Sequence, residues 1–339
     1  MILVTGGTGL VGTHLLFYLL SKDLSVRAIH RRDSNLNAVK KVFSYYYHDP
    51  DGLFDKIDWV EADITDIPAL EIAFENITQV YHCAALISFD PKDFKRLQRA
   101  NEKGTANIAN LCIAKQVKKL CFVSSIGAIG KSPDRSLATE ENEWNDNRAN
   151  VYGLTKHLAE MEIWRASQEG VPVVILNPGV ILGPGFWYGG SGSIFRIVAK
   201  GPAFYPPGGT GFVTVNDVVK IMAELMDSDI ANERFIVIDK NLSYKEILSN
   251  IAREFGKSTP KRALKFWQLN LLWRLDWLRS LLTGKKRKLT KKEVESLRRP
   301  EVYSNRKILG MLNFEFELMA ESVYFTCNRF KESYPAQFS

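Results

Sequence analysis

The chain has 339 residues, 45% of them hydrophobic and 24% charged, with 23 Gly and 13 Pro, which excludes a disordered tail or a fibrous repeat and leaves room for one large α/β unit or two lobes on a shared core. The net charge of +7 is local: Lys285, Lys286, Arg287, Lys288, Lys291, Lys292, Arg298 and Arg299, less Glu293 and Glu295, account for +6, and with no aromatic-interleaved basic groove the sequence argues against a nucleic-acid partner. No apolar run reaches the roughly 18–20 residues that span a bilayer, and Cys83, Cys112, Cys121 and Cys327 and the five scattered histidines have no metal-ligand spacing, so no metal site and a reduced, cytoplasmic setting are expected.

The N-terminus is the most informative stretch. Ile2, Leu3 and Val4 form a short apolar run that predicts a buried parallel strand. The run breaks at Thr5 into a turn with Gly6, Gly7, Gly9 and Gly12, and a helix over 10–22 follows at once. A strand, a glycine turn and a helix in that order build a seat for a dinucleotide pyrophosphate. Gly6 permits the tight turn, Gly9 lets the backbone approach the phosphates, and Gly12 lets the helix lie close on the strand. The unpaired N–H groups at the helix start favour an anion. With the strand starting at Ile2, there is no room for a signal peptide, which again points to the cytoplasm.

Further strands are expected over 24–29, 57–62, 79–84, 118–124 and 172–176, alternating with helices over 35–45, 68–76, 93–115 and 150–168. Such alternation predicts an α/β fold with a doubly wound parallel sheet. Beyond Asn177-Pro-Gly179 the pattern changes. Residues 183–192 and 202–211 read as loops, 213–227 and 234–238 as a helix and strand returning to the sheet. Helices are then expected over 244–255, 265–282, 290–298 and 316–332. The expected division is a dinucleotide-binding domain over 1–180, with the return segment 212–240, and a smaller, mostly helical substrate lobe from 181–211 and 241–339.

The end of the second strand bears on which dinucleotide is bound. An acid there would bind a ribose 2′-hydroxyl, whereas an Arg accommodates a 2′-phosphate. Here His30 holds the acid's place and Arg31 and Arg32 follow, with Asp33 three residues late. NADP(H) is the expected cofactor and NAD(H) the alternative, the two arginines in that case being merely solvated.

A Tyr-x-x-x-Lys spacing occurs at Tyr152/Lys156, and also at Tyr18/Lys22 and at Tyr303/Lys307 in the basic, polar tail. Only Tyr152 follows a strand that ends in Ser124 and Ser125. On a helix Tyr152 and Lys156 share a face. A nearby ammonium favours the phenolate and brings the phenol proton within reach of neutral-pH transfer. Ser125 supplies a hydroxyl for a substrate carbonyl. The plainer alternative is an amphipathic helix with an exposed Tyr and Lys.

Thr5-Gly-Gly-Thr-Gly-Leu-Val-Gly12, Ala62-Asp63-Ile64, His82-Cys-Ala-Ala85, Ser124-Ser125, Tyr152-Gly-Leu-Thr-Lys156, Asn177-Pro-Gly179 and Phe212-Val-Thr-Val-Asn-Asp217 together resemble the extended short-chain dehydrogenase/reductase family, also called the NAD-dependent epimerase/dehydratase superfamily. The resemblance covers nearly the whole chain. It implies a Rossmann fold, a nicotinamide cofactor, Tyr152 as acid/base, Lys156 on the ribose lowering the Tyr152 pKa, and Ser125 orienting the substrate. It further implies cofactor contacts from Gly6, Thr8, Gly9, Leu10, Val11 and Gly12, from Ser124, Tyr152 and Lys156, and from Asp63 and Ile64 at the adenine. Ala84 and Ala85 lie under the nicotinamide ribose in this pattern, and Pro178, Val180 and Ile181 line the nicotinamide. Asn101 matches an architectural helix asparagine.

Three activities fit: NADP(H)-dependent reduction of a ketone or aldehyde (or oxidation of the alcohol), sugar-nucleotide epimerisation or dehydration with NAD, and non-catalytic dinucleotide sensing. Ser125 is followed by Ile126-Gly-Ala-Ile-Gly130, without the Asp-Glu pair that resembles dehydratases or the Tyr typical of sugar epimerases. The strip Cys83-Ala-Ala-Leu-Ile-Ser-Phe89 resembles the dihydroflavonol reductase and 3β-hydroxysteroid dehydrogenase branch, which implies a fairly apolar small-molecule carbonyl or alcohol as substrate. Phe186, Trp187 and Tyr188 either line that pocket or serve packing. Near the C-terminus a Trp- and Leu-rich helix over 265–282 precedes the basic run. It fits packing over the cleft, a homodimer contact, or peripheral membrane contact through 266–292.

Overall fold

A computed structural model describes residues 1–130, 137–145 and 149–338. The first half alternates as expected: β1 (Ile2–Thr5), α1 (Leu10–Ser21), β2 (Val26–His30), α2 (Leu36–Phe43), a short α3 (Pro50–Phe54), β3 (Asp58–Glu61), α4 (Ile67–Ala73) and β4 (Gln79–His82). One continuous helical run follows, as α5 (Phe94–Leu97), a π-type turn Gln98–Lys103 and α6 (Gly104–Ala114), and then β5 (Lys119–Val123), α7 (Val151–Gln168) and β6 (Val173–Pro178). The rest comprises β7 (Val180–Leu182), α8 (Gly192–Ala199), β8 (Phe204–Tyr205), β9 (Gly209–Thr214), α9 (Val215–Asp227), β10 (Glu233–Val237), β11 (Lys240–Ser243), α10 (Tyr244–Glu254), β12 (Arg262–Ala263), α11 (Phe266–Thr283), α12 (Lys291–Leu297), α13 (Arg306–Leu312) and α14 (Met319–Ser333).

Seven strands form one sheet in the order β10-β6-β5-β4-β1-β2-β3, every pair parallel. This is the Rossmann-like arrangement. The central strands are apolar on both faces because helices cover both. Leu15, Leu16, Val39, Phe43, Val218 and Ile221 pack one face. Leu70, Ile108, Ala109, Ala159 and Ile163 pack the other. The strand order reverses between β1 and β4, so the carboxyl ends of these two strands open a crevice.

A three-stranded sheet, β11-β9-β7, and a pair, β12-β8, lie outside the main sheet. Around them Leu182, Phe195, Phe212, Ile251, Val323 and Phe330 build a third core. The loops expected here are partly structured. Residues 204–205 and 209–214 are strands, and α8 begins at Gly192. The glycines that read as loop are packing residues: a Cβ on Gly209 would lie 2.5 Å from the Leu242 carbonyl oxygen, and one on Gly211 would lie 2.5 Å from Ile238 Cγ2. Trp187 is buried between Phe195 and Phe330, which makes it a core residue. Tyr303, expected in a polar tail, is buried beside Ile129, Ala138 and Ile236, and its backbone pairs with Asn241.

Helix α11 covers the expected residues but does not pack its apolar side over a cleft. Leu269 and Ser280 are its only buried residues. Among the described residues no helix is long and apolar enough to cross a membrane.

Candidate active site

The turn after β1 is shaped by what a side chain would strike. Gly6 has φ +71°, and a Cβ on it would come within 2.6 Å of the Ala84 backbone nitrogen. A Cβ on Gly9 would meet only the Gly6 carbonyl oxygen, at 3.4 Å, and otherwise open space. Gly9 starts α1 in extended backbone with no side-chain cap, so the first N–H groups of Leu10, Val11 and Gly12 have no side chain answering them. Gly12 differs from expectation. Its missing Cβ clears the Gly6 carbonyl, which it would approach to 2.2 Å, so it fits helix to turn rather than helix to strand. Thr5 Oγ1 accepts from Ala84 N–H at 3.2 Å and lies 2.6 Å from His82 Nδ1. His82 bridges on to Thr105 Oγ1 at 2.9 Å, and burial pushes its pKa down to about 3, so it is neutral. The cradle suits a pyrophosphate: open at Gly9, rigid behind Gly6, with a helix N-terminus aimed into it.

Arg31, Arg32 and Asp33 at the end of β2 join Glu61, Ala62, Asp63 and Asp66 around a cavity of ≈ 660 Å³. Arg31 Nε lies 3.3 Å from Asp33 Oδ1, both side chains being exposed. Asp63 Oδ1 accepts from the backbone N–H and hydroxyl of Thr65 at 2.8 and 2.7 Å. Ile64 turns its side chain inward over Gly104, where a Cβ would stand 2.6 Å from Ile64 Cδ1. Asp63 and Ile64 therefore part company, one on the cavity and one in the core.

The residues expected to handle protons are held by β5, α7 and the end of β6. After β5 the chain passes Ser124 and Ser125 into a short 3-10 turn, Ile126–Ala128, with Ser125 Oγ accepting from Gly127 N–H at 3.1 Å. Asn150 caps α7 by accepting from Gly153 N–H at 2.8 Å. A Cβ on Gly153 would lie 2.4 Å from the Gly127 carbonyl oxygen, so α7 seats directly against the turn. This sets Tyr152 beside Ser125: a Cβ on Gly127 would lie 3.4 Å from Ser125 Oγ and 3.9 Å from Tyr152 Cδ1. Phe89 stands edge-on to the Tyr152 ring, 5.6 Å between centroids. Desolvation pushes Tyr152 up to about 12, with Ser125 pulling the other way.

Lys156 lies one turn further along α7, fully buried. Its Nζ donates to the Val123 carbonyl oxygen at 2.7 Å and sits 4.2 Å from the centre of the Phe122 ring. Burial pushes it down to about 7, with Glu160 and Cys83 pulling the other way. Around the phenol itself, loss of water is the largest influence.

Glu160, another turn along, was missed in the sequence. It is completely buried, accepting from the Ser124 hydroxyl, from Asn177 Nδ2 at 2.6 Å and from Arg234 Nη1 at 3.4 Å. Asn177 Nδ2 also donates to the Ser125 carbonyl at 2.9 Å. Tyr152, Lys156 and Glu160 recur every four residues on one face, a spacing that could have flagged Glu160. No sequence signal points to Arg234. Asn101 ties the crevice wall to α7, accepting from Leu86 N–H at 2.7 Å and donating to Thr155 Oγ1 at 3.1 Å. Ala84 is half-buried and Ala85 exposed on the crevice rim, Pro178 is buried at the end of β6, and Val180 and Ile181 are half-buried on β7. Thr8, Leu10 and Val11 are half-buried at the turn.

Residues 2–238 match the NAD dependent epimerase/dehydratase family. The chain is 29% identical over 281 residues to "Putative dihydroflavonol 4-reductase" of Synechocystis sp., covering 80% of this chain and 77% of the relative. It is 29% identical over 289 residues to UDP-glucose 4-epimerase of Vibrio cholerae, covering 81% of each. In fold it is similar to the crystal structure of gox2253, with a TM-score of 0.81, 21% identity and 98% of each chain covered.

Proposed function

The chain belongs to the NAD dependent epimerase/dehydratase family, and we propose that it acts there as an NADP(H)-dependent oxidoreductase on a fairly apolar ketone or aldehyde, or the corresponding alcohol. The observation that carries this reading is the placement of the Tyr152 phenol, a protonated acid at neutral pH, beside Ser125 at the carboxyl edge of the sheet near the glycine turn. A phenol protonated at neutral pH is an acid waiting for a developing alkoxide, as carbonyl reduction requires. No carboxylate stands in the Ile126–Ala128 turn to drive an elimination.

When bound, the reduced nicotinamide supplies the two electrons and the hydrogen that goes to carbon. The Ser125 hydroxyl orients the substrate oxygen, and Tyr152 donates its proton to that oxygen as the C–H bond forms. Lys156, held behind Tyr152, favours the phenolate left by that transfer. Gly6, Thr8, Gly9, Leu10, Val11 and Gly12 hold the pyrophosphate, the Asp63 side chain and the Ile64 backbone the adenine, and Arg31 and Arg32 the 2′-phosphate. Ala84, Ala85, Ser124, Pro178, Val180 and Ile181 wall the nicotinamide side. Residues 181–211 and 241–339 supply the substrate side of the cleft.

A second reading, NAD-dependent epimerisation, is favoured by one contact. Asp33 reaches back to Arg31 and so stands where it could take a ribose hydroxyl. Fluorescence titration with NADPH and NADH, followed by turnover on apolar ketones and aldehydes, separates the two. The reductase reading expects NADPH preference and turnover. In Tyr152→Phe turnover should fall roughly 10²–10⁴-fold at unchanged NADPH affinity. Replacing Arg31 and Arg32 by Ala should weaken NADPH by about 10-fold or more, the worth of a lost charge-assisted hydrogen bond, and leave NADH unchanged. NAD retained through purification, with no net oxidation, would instead establish the epimerase.

A further inference from the structure

Helix α11 is sorted inside out. Its polar side faces the protein. Asp276 Oδ2 accepts from the N–H groups of Lys288 and Leu289 at 2.7 and 3.1 Å, Ser280 Oγ accepts from Lys92 Nζ at 3.3 Å, and Arg279 pairs with Asp276 at 2.8 Å. At 100° per residue the opposite side carries Trp267, Leu271, Leu275, Leu278, Leu281 and Leu282, all exposed, Trp267 at 62% and Leu282 at 76%, with the exposed cation Arg274 among them. An exposed, largely apolar face of this kind marks an interaction site. Exposed cations stand at both of its ends, Lys261, Arg262 and Lys265 before the helix and Lys285 and Lys288 after it.

The occupant follows from charge. Two copies paired face to face would set these cations against cations whichever way the helices ran, antiparallel or parallel. An anionic bilayer surface complements the ends and accepts the Leu/Trp face, with Trp at headgroup depth. We propose that α11 and its basic ends are a docking face for an anionic membrane surface, the helix lying flat in the headgroup region.

The docking face is wired to the crevice. Besides Lys92 on Ser280, Lys286 Nζ bonds Asp93 at 2.8 Å and Arg287 N–H donates to Asp90 Oδ2 at 2.9 Å. The clamped segment 88–93 carries Phe89, which stands edge-on to Tyr152. Docking thus sets the crevice rim at the lipid surface, from which an apolar substrate enters. This last step rests on the reductase reading; the docking does not.

The test is sedimentation of the full chain with vesicles of phosphatidylglycerol in phosphatidylcholine, against phosphatidylcholine alone. Binding is expected on the acidic vesicles at low salt and its loss near 1 M salt, where the Debye length is about 3 Å. The Leu271→Glu/Leu278→Glu double variant should bind at least about tenfold more weakly, since two leucines that would enter the bilayer become carboxylates. Its thermal midpoint and NADPH affinity should match the parent's. Lys285→Glu/Lys288→Glu should erase the preference for acidic lipid. No binding at low salt, or binding indifferent to Leu271→Glu/Leu278→Glu, overturns the proposal. So does a dimer in light scattering that this variant dissociates while vesicles bind neither protein. Vesicle binding without turnover on any carbonyl would sink the reductase reading and leave the docking face standing.

Discussion

Helices α7 and α11 are both 18 residues long, and each departs from the usual sorting of polar and apolar side chains in the opposite sense. Helix α7 carries Thr155, Lys156 and Glu160 into the interior. Helix α11 leaves its leucines and tryptophans outside. The difference lies in partners. Each of these three meets one: Lys156 the Val123 carbonyl, Thr155 the Asn101 amide, Glu160 a hydroxyl, an amide and a guanidinium. Among the described residues nothing of its own chain covers the outward face of α11. Polar burial that is fully paired belongs to a site built inside the fold, whereas apolar exposure without a partner belongs to a surface completed by something else.

The comparison is tested hardest at Glu160. Removing it strips the Ser124 hydroxyl of its acceptor and leaves Arg234 and Asn177 only their bonds to the Glu140 and Ser125 carbonyls, around a buried hole. Glu160→Ala should cost about 3–5 kcal/mol, as breaking a buried ion pair from one side does. Glu160→Gln keeps an oxygen for Ser124 and Asn177 and should cost roughly half of that. Denaturant midpoints measure both. A loss below about 1 kcal/mol in Glu160→Ala would mean that water reaches this pocket and that α7 is not built around its polar contacts.

Lys156 sharpens the same point through pH. Its pKa is pushed down to about 7 by burial, from an ordinary 10.5. Between these values the unfolded chain binds more protons than the folded one, so this group's contribution to stability rises with pH. Below pH 7 the full cost of burying the ammonium is present. The stability of the parent relative to Lys156→Met should therefore rise by about 2 kcal/mol from pH 7 to pH 9, measured by urea unfolding of both at each pH. A flat difference would place the ammonium in contact with water.

Much of this was legible in the sequence because local chemistry dictates it. The glycines of 6–12 lie directly between β1 and α1, and the Tyr152/Lys156 spacing puts both side chains on one helix face whatever the rest of the fold does. The strands of the main sheet announced themselves as apolar runs. The failures were all long-range. Gly209 and Gly211 read as loop because a glycine needed for contact with Leu242 or Ile238 looks the same in sequence as a glycine needed for a turn. Tyr303 stands among charged residues and is buried by contacts from Ile129 and Ile236, far away in the chain. Arg234 reaches Glu160 across 74 residues, which no local pattern encodes. Desolvation of the Tyr152 phenol likewise depends on everything packed around it, which no local spacing encodes.

The smallest effects lie on α11, and there the two faces of one helix should answer opposite substitutions in opposite ways. Asp276 takes the N–H groups of Lys288 and Leu289 and pairs with Arg279, so Asp276→Leu frees backbone donors at the start of the basic run. Although it makes the helix more apolar, it should destabilise by about 1–2 kcal/mol. Leu278→Glu puts a carboxylate where a leucine now faces water. It removes no contact that holds the fold, and the unfolding midpoint should stay within about 0.5 kcal/mol of the parent. Thermal or urea unfolding of the two variants side by side reads the contrast. If Leu278→Glu cost as much as Asp276→Leu, the outward face of α11 would be packed against this chain, and the distinction from α7 would collapse.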